Sequence, residues 1–443
     1  MRKPASSRCS NLLLTSVLVV FFLSSVMAED WPAFRGPTGQ GRTTETNLPL
    51  TFSETENVTW KTMIPGKGWS SPVIMGNEVW MSTAVVTEPL VENTALGKKK
   101  KPRDFLAESV SLRAICVDKV SGKITRDVEL ISVAEPESIH TLNSYASPTP
   151  VLTENRVYFH FGTYGTVCIN RSDAKEVWQR QLPLQHAVGP GSSPIVWRDL
   201  LILVCDGMET QYVTALNRDT GKEVWKTHRP KMAGDDGDFH KAFSTPLAIE
   251  WDGQPQLLIP GAQWFVSYEP TSGRELWQIN HGRGFSNVAA PVFADGIGYL
   301  ITGFTKPKLW AIPVQERGEL TEDRNVLWEQ PKQVPKKSSP QLVGSEIYMV
   351  SDSGVLSCVD VNSGDLNWSA RMGGNYSASP LHSEDRLYFS SQNGQVIVVK
   401  PNAKKFEKLA ENKLDGQIMA SPAANDSALF VRTDQALYRI EEK

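Results

Sequence analysis

Short runs of β-branched and aromatic residues, each bounded by Gly, Pro, Asn, Asp or Ser, cover almost the whole chain. That patterning is the signature of strands joined by turns. It is fullest from Gly191 to Trp225, GSSPIVWRDLLILVCDGMETQYVTALNRDTGKEVW. Ser-Ser-Pro opens a short strand at 195–197, Arg198-Asp199 turns it, and an apolar strand follows at 200–205. After a loop at 206–210 come a third strand at 212–217 and a fourth at 222–225. Gly221 suits the last hairpin, because glycine takes positive φ without steric cost. Trp225 then offers a broad apolar plate to a neighbouring sheet. The stretch predicts one four-stranded antiparallel unit.

The unit recurs. Its closing hairpin and tryptophan return as SDAKEVW (Trp178), TSGRELW (Trp277), NVLW (Trp328) and NSGDLNW (Trp368), with ENVTW (Trp60) near the start. Its small-small-Pro opening returns at Pro72, Pro148, Pro194, Pro246, Pro291, Pro340, Pro380 and Pro422, in steps of 76, 46, 52, 45, 49, 40 and 42 residues. That period is the one expected of propeller blades. Small residues suit strands converging on an axis, and Pro suits the first residue of a strand. The expected fold is therefore all-β, an eight-bladed β-propeller of four-stranded antiparallel blades over 57–443. An orphan strand at 57–63 has no blade of its own, and the last blade lacks an outer strand, so the former is expected to complete the latter. Blade one carries Arg126 and blade seven Lys408 where Trp is expected.

At the chain start, Arg2, Lys3 and Arg8 precede an apolar stretch from Leu12 to Ser25 and a Val26-Met27-Ala28 cleavage site. Residues 1–28 read as a signal peptide, leaving no transmembrane segment after cleavage and a periplasmic or extracellular protein. Residues 29–56, with WPAFRGPTGQG at 31–41, read as an extended arm on the propeller surface. An insertion at 85–108 contains GKKKKPR (97–103), either a docking site for an anionic surface or a solvated loop. The mature chain has 43 Lys+Arg against 49 Asp+Glu, a net charge of −6, which argues against a nucleic-acid surface. Cys116, Cys168, Cys205 and Cys358 form no CxxC or adjacent pair and are expected as free, buried thiols.

Candidate chemistry gathers in the connectors that enter the inner strands. His140, His186, His240 and His281 lie 8, 8, 6 and 10 residues before Pro148, Pro194, Pro246 and Pro291. Asn143, Tyr145, Gly189, Gly191, Phe243, Asn287, Asn375 and Tyr376 hold similar places, and Asp235, Asp236 and Asp238 crowd one connector. Loops on a rigid scaffold are where sites concentrate, and imidazoles beside carboxylates can orient a polar ligand. Each His can equally satisfy loop backbone groups. No HxH or HxxxH pair marks a zinc site, and no metal is expected. No nucleophile elbow or phosphate loop is present.

The recurring unit, best seen in VTALNRDTGKEVW (213–225) and LSCVDVNSGDLNW (356–368), resembles the pyrroloquinoline-quinone-type (PQQ-like) propeller repeat. With WPAFRGP, NSYASPTP and GPGSSPI, the chain looks like the exported quinoprotein-like propellers of planctomycete-type bacteria. The resemblance implies one of two functions. One is a quinone-dependent dehydrogenase of alcohols or sugars, holding PQQ and Ca²⁺ on the axis. The other is a cofactor-free binding protein like the propeller subunit of the outer-membrane β-barrel assembly machinery. The chain lacks the adjacent-Cys disulfide of many alcohol-oxidising members, and CxxCH is absent. The favoured reading is a monomeric, non-catalytic propeller presenting its connector face to a protein partner or a glycan.

Overall fold

The computed structural model describes Met1 and residues 29–86, 91–92 and 104–442. The expected signal segment and the GKKKKPR run lie outside the described residues. Eight antiparallel sheets of four strands each form the blades, and the fourth blade gains a fifth strand. The third blade comprises Ile195–Trp197, Leu200–Asp206, Gln211–Asn217 and Glu223–His228. Strand Val58–Met63 pairs antiparallel with Ala436–Ile440, as the outer strand of the eighth sheet. The extra strand, Gly318–Leu320, runs parallel to Glu275–Asn280. It comes from a detour in the fifth blade that no repeat residue announces.

The small-small-Pro openings tie the inner strands together. The N–H of the residue before each proline reaches the hydroxyl at the same place in the next blade. Ser71 donates to Thr149 at 2.9 Å, Thr149 to Ser193 at 2.9 Å and Ser193 to Thr245 at 3.0 Å. Ala290 donates to Ser339 and Ser339 to Ser379, both at 3.0 Å. Ser379 donates to Ser421 at 2.9 Å and Ser421 to Ser71 at 3.1 Å, which closes the circuit across the chain ends. One link is missing, from Thr245 to Ala290, which has no hydroxyl. The circuit also corrects the repeat register: the second blade opens at Thr149-Pro150, not at Pro148, because Thr149 makes the axial bonds.

The outer strands interlock differently. Trp178 donates its indole N–H to Arg218 O of the next blade at 2.9 Å, and Trp225 to Pro270 O at 2.9 Å. Trp328 reaches Val361 O at 2.9 Å, Trp368 Asn402 O at 2.8 Å, and Trp60 Lys119 O at 3.0 Å. Each ring but that of Trp368 lies over a hairpin glycine. A Cβ on Gly221 would stand 2.7 Å from Trp178, and one on Gly364 2.5 Å from Trp328. So the hairpin needs glycine twice over, for positive φ (66° at Gly221) and for room. In the first blade Arg126 does the same work, its Nη2 donating to Ser172 O at 2.6 Å. In the seventh blade Ala410, not Lys408, stands in the tryptophan position: Val398 faces Ala410 as Ala215 faces Trp225, beside the same bulge. The four cysteines are free and buried in the sheets.

The arm packs on the inner strands, with Pro37, Thr38 and Arg42 exposed and its Trp and first Arg buried. Trp31 and Arg35 are each 1 % exposed. Between residues 29 and 48 the arm meets all eight inner strands. Trp31 bridges Ile74, and Pro32 O accepts from Leu152 N at 2.8 Å. Phe34 and Pro37 lie by Val196 and Leu247, and Gln40 Oε1 accepts from Phe293 N at 2.8 Å. Arg35 Nη2 donates to Pro340 O at 2.8 Å, Gly41 O accepts from His382 N at 2.8 Å, and Glu29 O accepts from Asn425 at 2.9 Å. The arm therefore stoppers the axial channel at the hairpin end.

Candidate functional site

Connectors and the loops between second and third strands share one face, because backbone bonds join them. Phe304 N donates to Phe285 O, Gln263 N to Gly284 O, and Gln392 N to Asn375 O, at 2.7–2.8 Å. The root of the basic insertion is there too: Val91–Glu92, Asp104–Leu106 and Ile139–His140 form a small sheet, pairing Asp104 with His140.

The four histidines do not form one titrating cluster on this face. His140 Nδ1 accepts from Leu142 N at 3.1 Å, and His240 Nε2 donates to Gly234 O at 3.2 Å. His281 Nε2 donates to Gly261 O at 3.0 Å while its ring lies 4.3 Å from that of Phe265, tilted by 33°. His186 is buried against Phe243, with ring centroids 5.1 Å apart. Burial pushes His186 down to about 3 and His281 to about 4, so both stay neutral across the physiological range. His160, also buried, is held at about 4.

The other predicted residues divide. Asn143 donates to Val188 O and Pro190 O, at 3.0 and 3.1 Å, and ties its connector to the next one. Tyr145 is buried and donates to Glu137 O at 2.9 Å. Asn287 is buried and donates to Ile301 O at 3.0 Å. Tyr376 is buried, whereas its neighbour Asn375 is exposed. Gly191 leaves room for Phe243, a Cβ there coming within 2.7 Å of that ring; Gly189 has φ 88°. Asp235, Asp236 and Asp238 are exposed around a short 3₁₀ turn, Gly237–Phe239, which Asp236 caps by accepting from Asp238 N. Asp238 in turn pairs with the buried amine of Lys241 at 2.6 Å.

That turn holds up a side chain the sequence reading missed. Phe239 is 46 % exposed, and its ring stands edge-on to Phe285 at 4.8 Å. Phe285 meets Phe304 at 6.2 Å, and Lys336 Nζ lies 5.4 Å over the Phe304 ring. The row crosses the connectors of the fourth, fifth and sixth blades. Behind it Asp352 holds Lys336 N at 3.0 Å and Lys337 Nζ at 3.6 Å. Single phenylalanines in loops have no period, so only the Asp-rich turn beside them gave a signal.

A calcium–quinone centre needs oxygen ligands gathered at one point. Among the described residues no group of three or more His, Cys, Asp or Glu gathers so. The axial belt offers hydroxyls, most of them already committed to the next blade. These residues do not fit such a centre. No helix among the described residues is long and apolar enough to cross a membrane.

Comparison with known proteins places the chain. Residues 76–369 and 261–405 match the family described as outer membrane protein assembly factor BamB. The chain belongs to this family. It is 24 % identical over 263 residues to the BamB of Salmonella typhimurium, a match spanning 58 % of this chain and 64 % of that protein. The crystal structure of BamB from Moraxella catarrhalis superposes with a TM-score of 0.53 at 11 % identity, covering 82 % of this chain and 98 % of the other. A europium-containing methanol dehydrogenase gives 0.61 at 8 % identity, covering 92 % and 90 %. At these identities the two structures share a fold with this BamB-family chain.

Proposed function

We propose that this chain is an exported, non-catalytic propeller that docks a partner protein on its connector face, with Phe239 as the anchor. The observation that carries the reading is the exposed Phe239 on its row of Phe285 and Phe304, rimmed by Asp235 and Asp236. Large aromatic side chains backed by a packed support are the usual hot spots of protein interfaces. Loops set on a rigid ring make a stable platform for one. The description of its relatives as outer membrane protein assembly factors favours a protein partner in the cell envelope over a glycan, and an exported location.

The test is photo-crosslinking in cells that export the protein, with a benzoylphenylalanine at position 239 or at Val120. Val120 is 63 % exposed on a hairpin of the opposite face. A discrete protein adduct from position 239 alone is expected, and it should fade when Asp235 and Asp236 are both changed to Lys. Equal adducts from both positions, or an adduct removed by glycosidases, would reject the reading. The dehydrogenase reading draws on the shared fold with the methanol dehydrogenase. Turnover of an artificial electron acceptor with added quinone, Ca²⁺ and an alcohol would establish it instead.

A further inference from the structure

The break in the axial circuit coincides with a cavity. At seven blade junctions an inner-strand N–H meets a hydroxyl; at the eighth, Ala290 holds the place of the acceptor and has no hydroxyl to offer Thr245 N–H. No acceptor among the described residues replaces that hydroxyl, although Thr245 is only 5 % exposed. An orphan buried N–H is rare in folded proteins. Thr245 and Ala290 both line a cavity of about 280 Å³ between the arm and the inner strands of blades two to five. Apart from Thr38 its other walls carry no polar side chain, with Phe34, Pro37, Leu152, Val196 and Leu247 among them, and no ionisable side chain lines it.

A charge lies close by. Arg35, between the lining residues Phe34 and Gly36, is buried and donates Nη2 to Gln40 O, Pro340 O and Gln341 Oε1. Among the described residues no Asp or Glu pairs with it, so one buried cation in the stopper lacks a direct counter-charge. The volume sits just under the roughly 300–1,000 Å³ of pockets that take drug-sized ligands. A ring-sized molecule fits; a large cofactor does not.

We propose that this cavity binds a small apolar carboxylate, one oxygen accepting from Thr245 N–H and the apolar body against Phe34, Val196 and Leu247. The site lies at the stoppered end of the axis and is independent of the connector face. The probe is 4-fluorobenzoate, observed by ¹⁹F NMR with the whole mature protein. Saturable broadening is expected with the native chain. Ala290→Ser restores the missing hydroxyl and should weaken binding by about tenfold or more, the size of one charge-assisted hydrogen bond. With the native chain, 4-fluorotoluene, of similar body but without an acceptor, should bind weaker by a similar factor. Phe239→Glu should leave benzoate binding unchanged, so this site and the docking reading fail separately. No saturable signal with the native chain, equal affinity for Ala290→Ser, or equal affinity for the toluene would each overturn the proposal.

Discussion

Ser379 joins three blades through one side chain and one amide: its Oγ accepts from Ser339 N–H, and its own N–H reaches Ser421 Oγ. Ser379→Ala would leave Ser339 N–H buried without an acceptor. We expect a loss of about 1–3 kcal/mol in urea unfolding, the cost of an unsatisfied buried donor. The histidines give a prediction with a sign. His160, His186 and His281 have folded values of about 4, 3 and 4, below the ordinary imidazole value near 6.5. A depressed base binds its proton more weakly when folded, so its stabilisation is complete above about pH 6.5 and is lost as pH falls toward 4. Urea midpoints should drop between pH 6.5 and 4.5, and His160→Gln should flatten part of that slope. Docking at Phe239 should not follow the titration of His186 or His281, which stay neutral from pH 7.5 to 5.5.

The tryptophan-over-glycine joint explains why the hairpins read so clearly. Gly253 and Gly364 both have positive φ, 68° and 74°. Nothing lies within 4 Å of a Cβ on Gly253, while one on Gly364 would stand 2.5 Å from the Trp328 ring. Gly253→Ala should cost about 1 kcal/mol, the left-handed penalty alone. Gly364→Ala should cost clearly more in thermal unfolding, since the ring must also move. Strands and blades were legible because turn residues and alternation repeat. The slips came where two readings share one pattern: ASPTP offers two prolines, and only the axial hydroxyl bond picks Pro150. FEKLAE offers Lys408, but the pairing register puts Ala410 opposite Val398, where the other blades have tryptophan. For the site, the sequence located the connectors but not their surface. His186, Tyr145 and Asn287 turned inward, and Phe239 stayed outside for want of any periodic partner.

The ring as a whole is sealed twice by residues far apart in sequence. Val58–Met63 pairs with the last strand of the chain, and the arm reaches from Asn425 on the eighth blade through every other inner strand. The arm's contacts have a kinetic consequence. Its seat is built by all eight blades, so no partial array can hold it, and joining segments hundreds of residues apart is slow. We expect arm docking to be the final step of folding, a marker that the ring is complete. In a refolding time course, protease protection of the peptide bonds around Arg35 should appear after the blades' tryptophan fluorescence has settled. Simultaneous protection would mean that the arm seats on an unfinished ring. An unseated arm leaves the inner strands open at one end, which gives proteases a handle on chains whose last blade has failed to form.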